Sequence, residues 1–357
     1  MMMSTFSALQ THGQHEGVLT CFDEATGLHG YIALHNTTLG PGLGGCRVMA
    51  YPNEAAALED VLKLSAAMTY KNALAGLNYG GGKAVVWLQE GQQKTPELMR
   101  AMGKRIALLS GSYYTATDVG STSADMKLMR EASPYVSALS PEDGGLGCSA
   151  ILTGYGVYLG MKAAAQVRFG SDALEGKTIA IQGTGKVATH MMGYLAEEGC
   201  RVIVTDAYAP ALEAFVARFP TVETVSPDAI WQVDADILSP NAIGGSITPS
   251  VANSTKAKVI AGGANNPLSS PDVATLLQAN GIAFAPDFAI NSGGVITLSA
   301  ELAKQTFDEA KQATAGIYQT TLQIFERAEA SGLNTLQAAI AVAESRIHKA
   351  VSPKVAG

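Results

Sequence analysis

The sequence predicts an α/β protein of two domains, an N-terminal α/β domain followed by one built on a parallel sheet. Three observations predict it. The chain has 357 residues, more than one ordinary core accommodates. Its second half alternates apolar runs (KTIAIQ, RVIVTD, ADILS, KVIAGG, IAFAPD) with helix-like stretches, the pattern of parallel strands joined by crossover helices. Between the halves lies SPEDGGLGCSA, residues 140–150, rich in turn formers and nearly free of periodicity. The expected domains are 1–138, joined by a C-terminal helix 332–357, and 139–331.

From Gly17 to Thr38 short β-like runs alternate with turns. Residues 53–68, NEAAALEDVLKLSAAM, place apolar side chains at helical spacing behind Asn53, a suitable N-cap. AVVWL, Ala84 to Leu88, reads as a buried strand, and residues 95–109 as a second helix. Past the boundary, TGYGVYLGMKAAAQVRFG leads as a helix into the parallel sheet. Beyond Asn291 the pattern is helical over 300–331 and again from Thr335 to about Val351, which is expected to return the chain to the first domain.

Composition narrows the function. The chain is 47% hydrophobic and 15% charged, ample material for globular cores. Its net charge is −7, without a Lys/Arg block, a poor match to nucleic acid or to an anionic membrane. The opening MMMSTFSALQTHGQHEG lacks the basic and apolar regions of a signal peptide, and no apolar run reaches the length of a membrane span. Cys21, Cys46, Cys148 and Cys200 are scattered without a CxxC pair. They read as reduced thiols of a cytoplasmic protein, with zinc ligation the remote alternative, so no metal is expected.

Residues 181–188, IQGTGKVA, follow the strand KTIAIQ and open a helix. This is GxGxxA in the context that gives it meaning. Gly183 permits a tight turn, Gly185 lets backbone approach a pyrophosphate, and Ala188 lets helix and strand pack closely. Thr184, Lys186 and Val187 complete the loop and the helix start. RVIVTD ends in Asp206, roughly 20 residues further on, where a ribose-binding acid is expected. A carboxylate there accepts from ribose hydroxyls and repels a 2′-phosphate, and Ala207, Tyr208 and Ala209 offer no arginine. The reading is a Rossmann-like domain that binds NAD rather than NADP.

In the first half, MTYKNALAGLNYGGGKAVVW sets Lys71 and Lys83 in apolar company, with Gly80 to Gly82 directly before the second lysine. Singly, each lysine is as well explained by a helix end or a glycine turn. Preceded by TTLGPGLGGCR and followed in order by TATDVGST, LTGYGVYLGMKAAA, IQGTGKVA, IAGGANNPL and APDFAINSGGV over nearly the whole chain, they carry a specific resemblance. The sequence resembles the Glu/Leu/Phe/Val dehydrogenase family, and within it the leucine-acting members. The resemblance implies a substrate domain and a Rossmann-like domain with a cleft between them. It implies a homo-oligomer, dimer or higher, whose small-molecule partners are an amino acid, its 2-oxo acid and ammonia.

Carried over by position, Lys71 matches the lysine that grips the substrate carboxylate, Lys83 the catalytic lysine and Asp118 the catalytic acid. Gly44 and Gly45 match the glycine pair near the substrate. Thr153 and Asn291 match polar residues near the nicotinamide, Asn241 falls in the same cofactor site, and Asn266 lies in the Asn-rich turn beside the substrate. The implied side-chain pocket is Leu43, Met68, Ala116, Val295 and Leu298, all apolar.

The chemistry suits these residue types. A buried substrate carboxylate needs a fixed ammonium, the task of Lys71. A lysine that acts as a base must stand where its ammonium form is disfavoured, as burial beside a second cation provides, and the glycines are expected to leave room there for substrate and water. The implied reaction is oxidative deamination: hydride leaves Cα, water attacks the iminium as Lys83 takes its proton, and Asp118 relays a proton to the departing nitrogen. A pocket without a cation argues against glutamate and favours leucine, valine or isoleucine. GGCR, where leucine-acting members more often read GGTR, keeps a phenylalanine enzyme as the alternative. A 2-hydroxy acid dehydrogenase would need a histidine base, and none of the six histidines lies in a matching motif. A non-catalytic NAD-binding protein would not need Lys71, Lys83 and Asp118.

Overall fold

The computed structural model describes Leu9 and residues 15–351; most of the segment read for a leader and the last six residues lie outside these. The chain divides into two compact units. The first comprises residues 1–148, 298–307 and 343–357, the second 149–297 and 308–342. Residues 139–148 and 298–307, which the sequence places with the second domain, thus belong to the first unit, and 332–342, which it places with the first domain, belong to the second.

The first unit is built on a mixed sheet. β1 (Gly17–Asp23) and β2 (Leu28–Asn36) form a hairpin, and β2 pairs antiparallel with β5 (Gly80–Leu88). The other edge of β5 is shared. Its first residues pair parallel with β3 (Gly42–Leu43) and its later ones with β4 (Cys46–Ala50), while β3 pairs on its far side with β6 (Tyr113–Tyr114). The chain therefore steps from β3 to β4 at Gly44–Gly45, alongside the middle of β5.

Helix α1 (Glu54–Leu74) lies against β2 and β5, and buries Ala57, Leu58, Val61 and Leu62 with Tyr31, Ala33 and Val85. Asn53 caps it as the sequence predicts, its side chain accepting from the Ala56 N–H at 3.0 Å. The helix continues six residues past Met68, because buried Thr69, Asn72 and Ala73 keep its inward stripe going. Its C-terminal carbonyls are satisfied by Arg346, whose guanidinium donates to Ala73, Gly76 and Leu77 at 2.7–2.9 Å. Helices α2 (Pro96–Leu108) and α3 (Ser123–Arg130) complete the unit, α2 capped by Thr95 and α3 closed by a Thr122/Asp125 capping box.

The second unit opens with α4 (Ala150–Phe169) and continues as a parallel six-stranded sheet ordered β12-β11-β10-β7-β8-β9. Its strands are β7 (Thr178–Gln182), β8 (Arg201–Thr205), β9 (Glu223–Thr224), β10 (Ile237–Pro240), β11 (Val259–Ile260) and β12 (Ala283–Phe284). Crossover helices α5 (Lys186–Leu195), α6 (Ala209–Arg218), α7 (Pro249–Ser254) and α8 (Asp272–Ala279) link them, and the core includes Ile203, Leu238, Ile260, Leu277 and Phe284. The order reverses between β7 and β10, so the carboxyl ends of those two strands form the crevice where open α/β sheets bind ligands.

Four helices follow: α9 (Asp287–Ile290), α10 (Gly293–Leu302), α11 (Phe307–Ser331) and α12 (Thr335–Val351). The helical region expected over 300–331 is two helices, with a break between Leu302 and Phe307. Lys304 there takes φ +56°, a conformation no helix continues through. No helix among the described residues is long and apolar enough to cross a membrane. All four cysteines are free thiols.

Candidate active site

In the first unit Lys83 stands in the middle of β5, only 4% exposed. Its ammonium pairs with Oδ2 of Asp118. The other oxygen of Asp118 accepts from Arg47 Nε at 2.9 Å and from the Val119 N–H at 2.7 Å. Burial raises the Asp118 pKa, but the charges and hydrogen bonds of Lys83 and Arg47 outweigh it and hold the carboxyl at about 2. Asp118 is thus an ionised carboxylate between two cations. The cation across the carboxylate from Lys83 is Arg47, where the sequence suggested Lys71 as the second charge. Lys71 lies in the last turn of α1, partly exposed.

The glycines make this convergence possible. A Cβ on Gly44 would stand 2.0 Å from the Gly82 carbonyl oxygen and 3.0 Å from Met68, and one on Gly45 would stand 2.4 Å from the Thr117 carbonyl. The β3–β4 corner therefore lies flat against β5 and against the loop that carries Asp118. Gly80 to Gly82 do not leave open space for substrate and water as the sequence suggested. The volume a side chain would take is already filled, at Gly80 by Asn36, at Gly81 by Thr69 and Ser65, and at Gly82 by the Tyr113 ring.

Leu43 and Ala116 are fully buried, and Met68 and Leu298 nearly so. Leu43 lies beside Gly81 in register, its carbonyl held by Asn72 Nδ2 at 3.0 Å. The same amide donates to the Gly80 carbonyl at 2.7 Å, so Asn72, next to Lys71 in sequence, ties α1 to both strands.

The second unit gathers Gly183, Val187, Asn241 and Asn291 around Gly263, past the ends of β7 and β10. Gly183 follows β7 with φ +94°, and a Cβ there would stand 2.8 Å from Ala242, next to Asn241 at the end of β10. Asn241 Oδ1 accepts from the Gly263 N–H at 2.8 Å, and a Cβ on Gly263 would stand 2.7 Å from Val187. Asn291 Nδ2 donates to Asn265 at 2.8 Å and to the Gly263 carbonyl. Asn266 holds a left-handed turn at φ +49°, its N–H donating to Asp287 at 2.9 Å. Thr153 packs against the start of α10, within 2.9 Å of where a Gly294 Cβ would lie. Val295 is buried on that helix.

Asp206, just past β8, accepts from the Thr184 N–H at 2.7 Å, the Thr184 hydroxyl at 2.9 Å and the Tyr208 N–H at 2.8 Å. Burial raises its pKa, but these donors prevail and the net shift is downward, so the group is an anion. These residues fit a dinucleotide. Helix α5 starts at Gly185 with no side-chain cap, leaving its first N–H groups for an anion. A Cβ on Gly185 would meet no protein atom within 4 Å, so nothing internal demands glycine there.

Residues 15–135 match the model of the Glu/Leu/Phe/Val dehydrogenase dimerisation domain, and residues 206–354 that of Glutamate/Leucine/Phenylalanine/Valine dehydrogenase. The chain belongs to the Glu/Leu/Phe/Val dehydrogenase family. It is 43% identical over 347 residues to leucine dehydrogenase of Bacillus subtilis (strain 168), an alignment covering 97% of this chain and 95% of that one. It is 44% identical over 340 residues to valine dehydrogenase of Streptomyces albus, covering 95% and 93%. Among solved structures, L-tryptophan dehydrogenase from Nostoc punctiforme superposes with a TM-score of 0.84 at 36% identity, covering 97% of this chain and 99% of that one. This protein is therefore an amino acid dehydrogenase, of a family generally dependent on NAD(P).

Two features of the dehydrogenase escaped the sequence reading. One is Arg47 on the Asp118 carboxylate; the arginine ends the quoted GGCR, but its partner lies 71 residues away. The other is the amide of Asn72, which reads as one more polar position in a helix.

Proposed function

We propose that the enzyme catalyses the reversible, NAD-dependent oxidative deamination of a branched-chain L-amino acid (leucine, valine or isoleucine) to the 2-oxo acid and ammonia. The observation that carries this is the buried Lys83–Asp118 pair; Leu43, Ala116 and Met68, buried and apolar in the same unit, offer no cation for a side-chain carboxylate. The likeness to leucine and valine dehydrogenases over nearly the whole chain supports it. Lys71 holds the substrate carboxylate. The nicotinamide, when bound, accepts hydride from Cα. Lys83, in its neutral amine form, takes the proton of the water that adds to the substrate iminium, and Asp118 passes a proton from Lys83 on to the amino nitrogen before ammonia leaves. Gly183 to Ala188, with Thr153, Asn241 and Asn291, hold the cofactor. Asp206, an anion already steadied by Thr184, selects NAD by repelling a 2′-phosphate. The working form is a homo-oligomer, in keeping with the dimerisation-domain match.

The structure of a tryptophan dehydrogenase at 36% identity keeps an aromatic substrate as the second reading. An assay of NADH formation over leucine, valine, isoleucine, phenylalanine, tryptophan and lactate, repeated with NADP⁺, tests the proposal. The branched-chain acids with NAD⁺ should give the highest kcat/KM. Activity on lactate, or on no amino acid, overturns it. Leu298→Ala vacates volume beside the substrate side chain and should favour phenylalanine over valine by about tenfold, since a methylene or two in an apolar pocket is worth ~1–3 kcal/mol. An unchanged order would make Leu298 ordinary core.

A further inference from the structure

We propose that Arg47 is a positioning residue for the Lys83–Asp118 pair, holding one oxygen of the carboxylate so that only the other serves Lys83. This rests on the function proposed above, in which a proton moves at that pair. Arg47 lies on β4 in register with Val85 of β5, two residues past Lys83. Side chains alternate across a sheet, so Arg47 and Lys83 project from the same face.

The carboxylate between them is divided. Oδ1 accepts Arg47 Nε at 2.9 Å and the Val119 N–H at 2.7 Å, and Oδ2 accepts Lys83. Arg47 is itself anchored, because its Nη1 donates to Asp60 on α1 at 3.0 and 3.3 Å, and Asp60 accepts from the Tyr51 hydroxyl at 2.6 Å. Two cations and two carboxylates thus alternate along one line from Lys83 to Asp60.

A carboxylate free to turn would offer both oxygens to the ammonium and hold its proton more firmly. Arg47 prevents this by occupying the far oxygen, and its own charge opposes the ammonium across the carboxylate. A guanidinium stays charged across the whole working range, so the hold does not change with pH. A lysine at 47 would keep the charge. It would lose the fork that reaches Asp118 with one nitrogen and Asp60 with another.

The test compares wild type, Arg47→Ala and Arg47→Lys by two readouts. The first is the ζ-¹⁵N NMR titration of Lys83, assigned by its absence in Lys83→Ala, which needs no activity. In Arg47→Ala its midpoint should move up, because the positive charge across the carboxylate is removed. The second is steady-state kinetics with the amino acid. In Arg47→Lys the midpoint should stay near wild type, while kcat falls on the order of 10–100-fold from lost orientation and KM for NAD⁺ is unchanged. An unmoved Lys83 midpoint in folded Arg47→Ala, or full kcat in Arg47→Lys, overturns the proposal and leaves Arg47 a strut between β4 and α1. Should Arg47→Ala fail to fold, the Arg47→Lys kinetics still decide. Wild type that oxidises no amino acid overturns the functional reading instead, and the titration then still reports on Arg47.

Discussion

Lys83 and Lys71 are both cations, yet the roles proposed for them touch different kinetic quantities. Lys71→Ala removes a partner of the substrate carboxylate present in ground and transition states alike, so KM should rise strongly. Lys83→Ala removes a group needed when the water proton moves, so kcat should fall by roughly 10²–10⁴-fold with a smaller change in KM. Steady-state kinetics of both variants check the split; near-normal kcat in Lys83→Ala would take this lysine out of the chemistry. In the second unit, Asp206→Ala should raise the kcat/KM ratio of NADP⁺ to NAD⁺ at least tenfold, because it removes an anion held by three donors. A constant ratio in a folded variant would separate Asp206 from ribose recognition. The local geometry that motifs encode, the tight turn at Gly183 and the carboxylate of Asp206 beside it past β8, was legible in the sequence. Arg47 was not, since its meaning lies in Asp118 and Asp60, which join it only after β4, α1 and the loop past β6 have packed.

At the level of elements, the run of three glycines shows where sequence reasoning loses its grip. Glycine before a functional lysine suggests clearance, but which neighbour takes the space depends on residues far away in the chain. At Gly81 it is α1, with Thr69 Oγ1 and the Ser65 carbonyl at 2.0 and 2.3 Å from a Cβ. A methyl there must push a helix off the sheet, so Gly81→Ala should cost about 1–3 kcal/mol or more. Gly17→Ala on β1 is the control, because a Cβ there meets nothing within 4 Å and should change stability little. Equal denaturation midpoints for the two variants would mean that α1 and β5 are not packed as described. The same packing explains the length of α1. Thr69 and Tyr70 weaken the local helical signal, whereas burial of Thr69, Asn72 and Ala73 extends the helix to Leu74. That extension carries Lys71 in its last turn and gives Asn72 its reach to β3 and β5.

For the molecule as a whole, the parallel sheet of the second unit was written in repeating apolar runs, whereas the sheet of the first was written only in part, in the β-like runs of 17–38 and in AVVWL. β3 and β6 are two residues each, too short for any periodicity, and β5 begins in glycine. In this first unit two groups with lowered pKa titrate in separate windows. His35 on β2 is buried, with Nδ1 at 2.8 Å from the Thr69 hydroxyl and the His15 ring at 4.8 Å. Burial, helped by His15 and opposed by Glu16, pulls its pKa from 6.5 down to about 4. The folded protein thus keeps His35 neutral where the unfolded chain would protonate it. Its contribution is complete above about pH 6.5 and is lost as pH falls towards 4. Asp118 is lowered from 3.8 to about 2, so its contribution is complete above 3.8 and is lost only as pH falls towards 2. Stability of the first unit should therefore begin to fall below pH 6.5, well before Asp118 protonates. Trp87 reports on this unit if Trp231, the other tryptophan, is replaced by Phe. Melting followed at Trp87 between pH 7 and 4 should show a declining Tm in the wild-type background. The decline should flatten in His35→Gln, which keeps a polar partner for Thr69 but does not titrate. An equal slope in the two proteins would assign the acid sensitivity to another group.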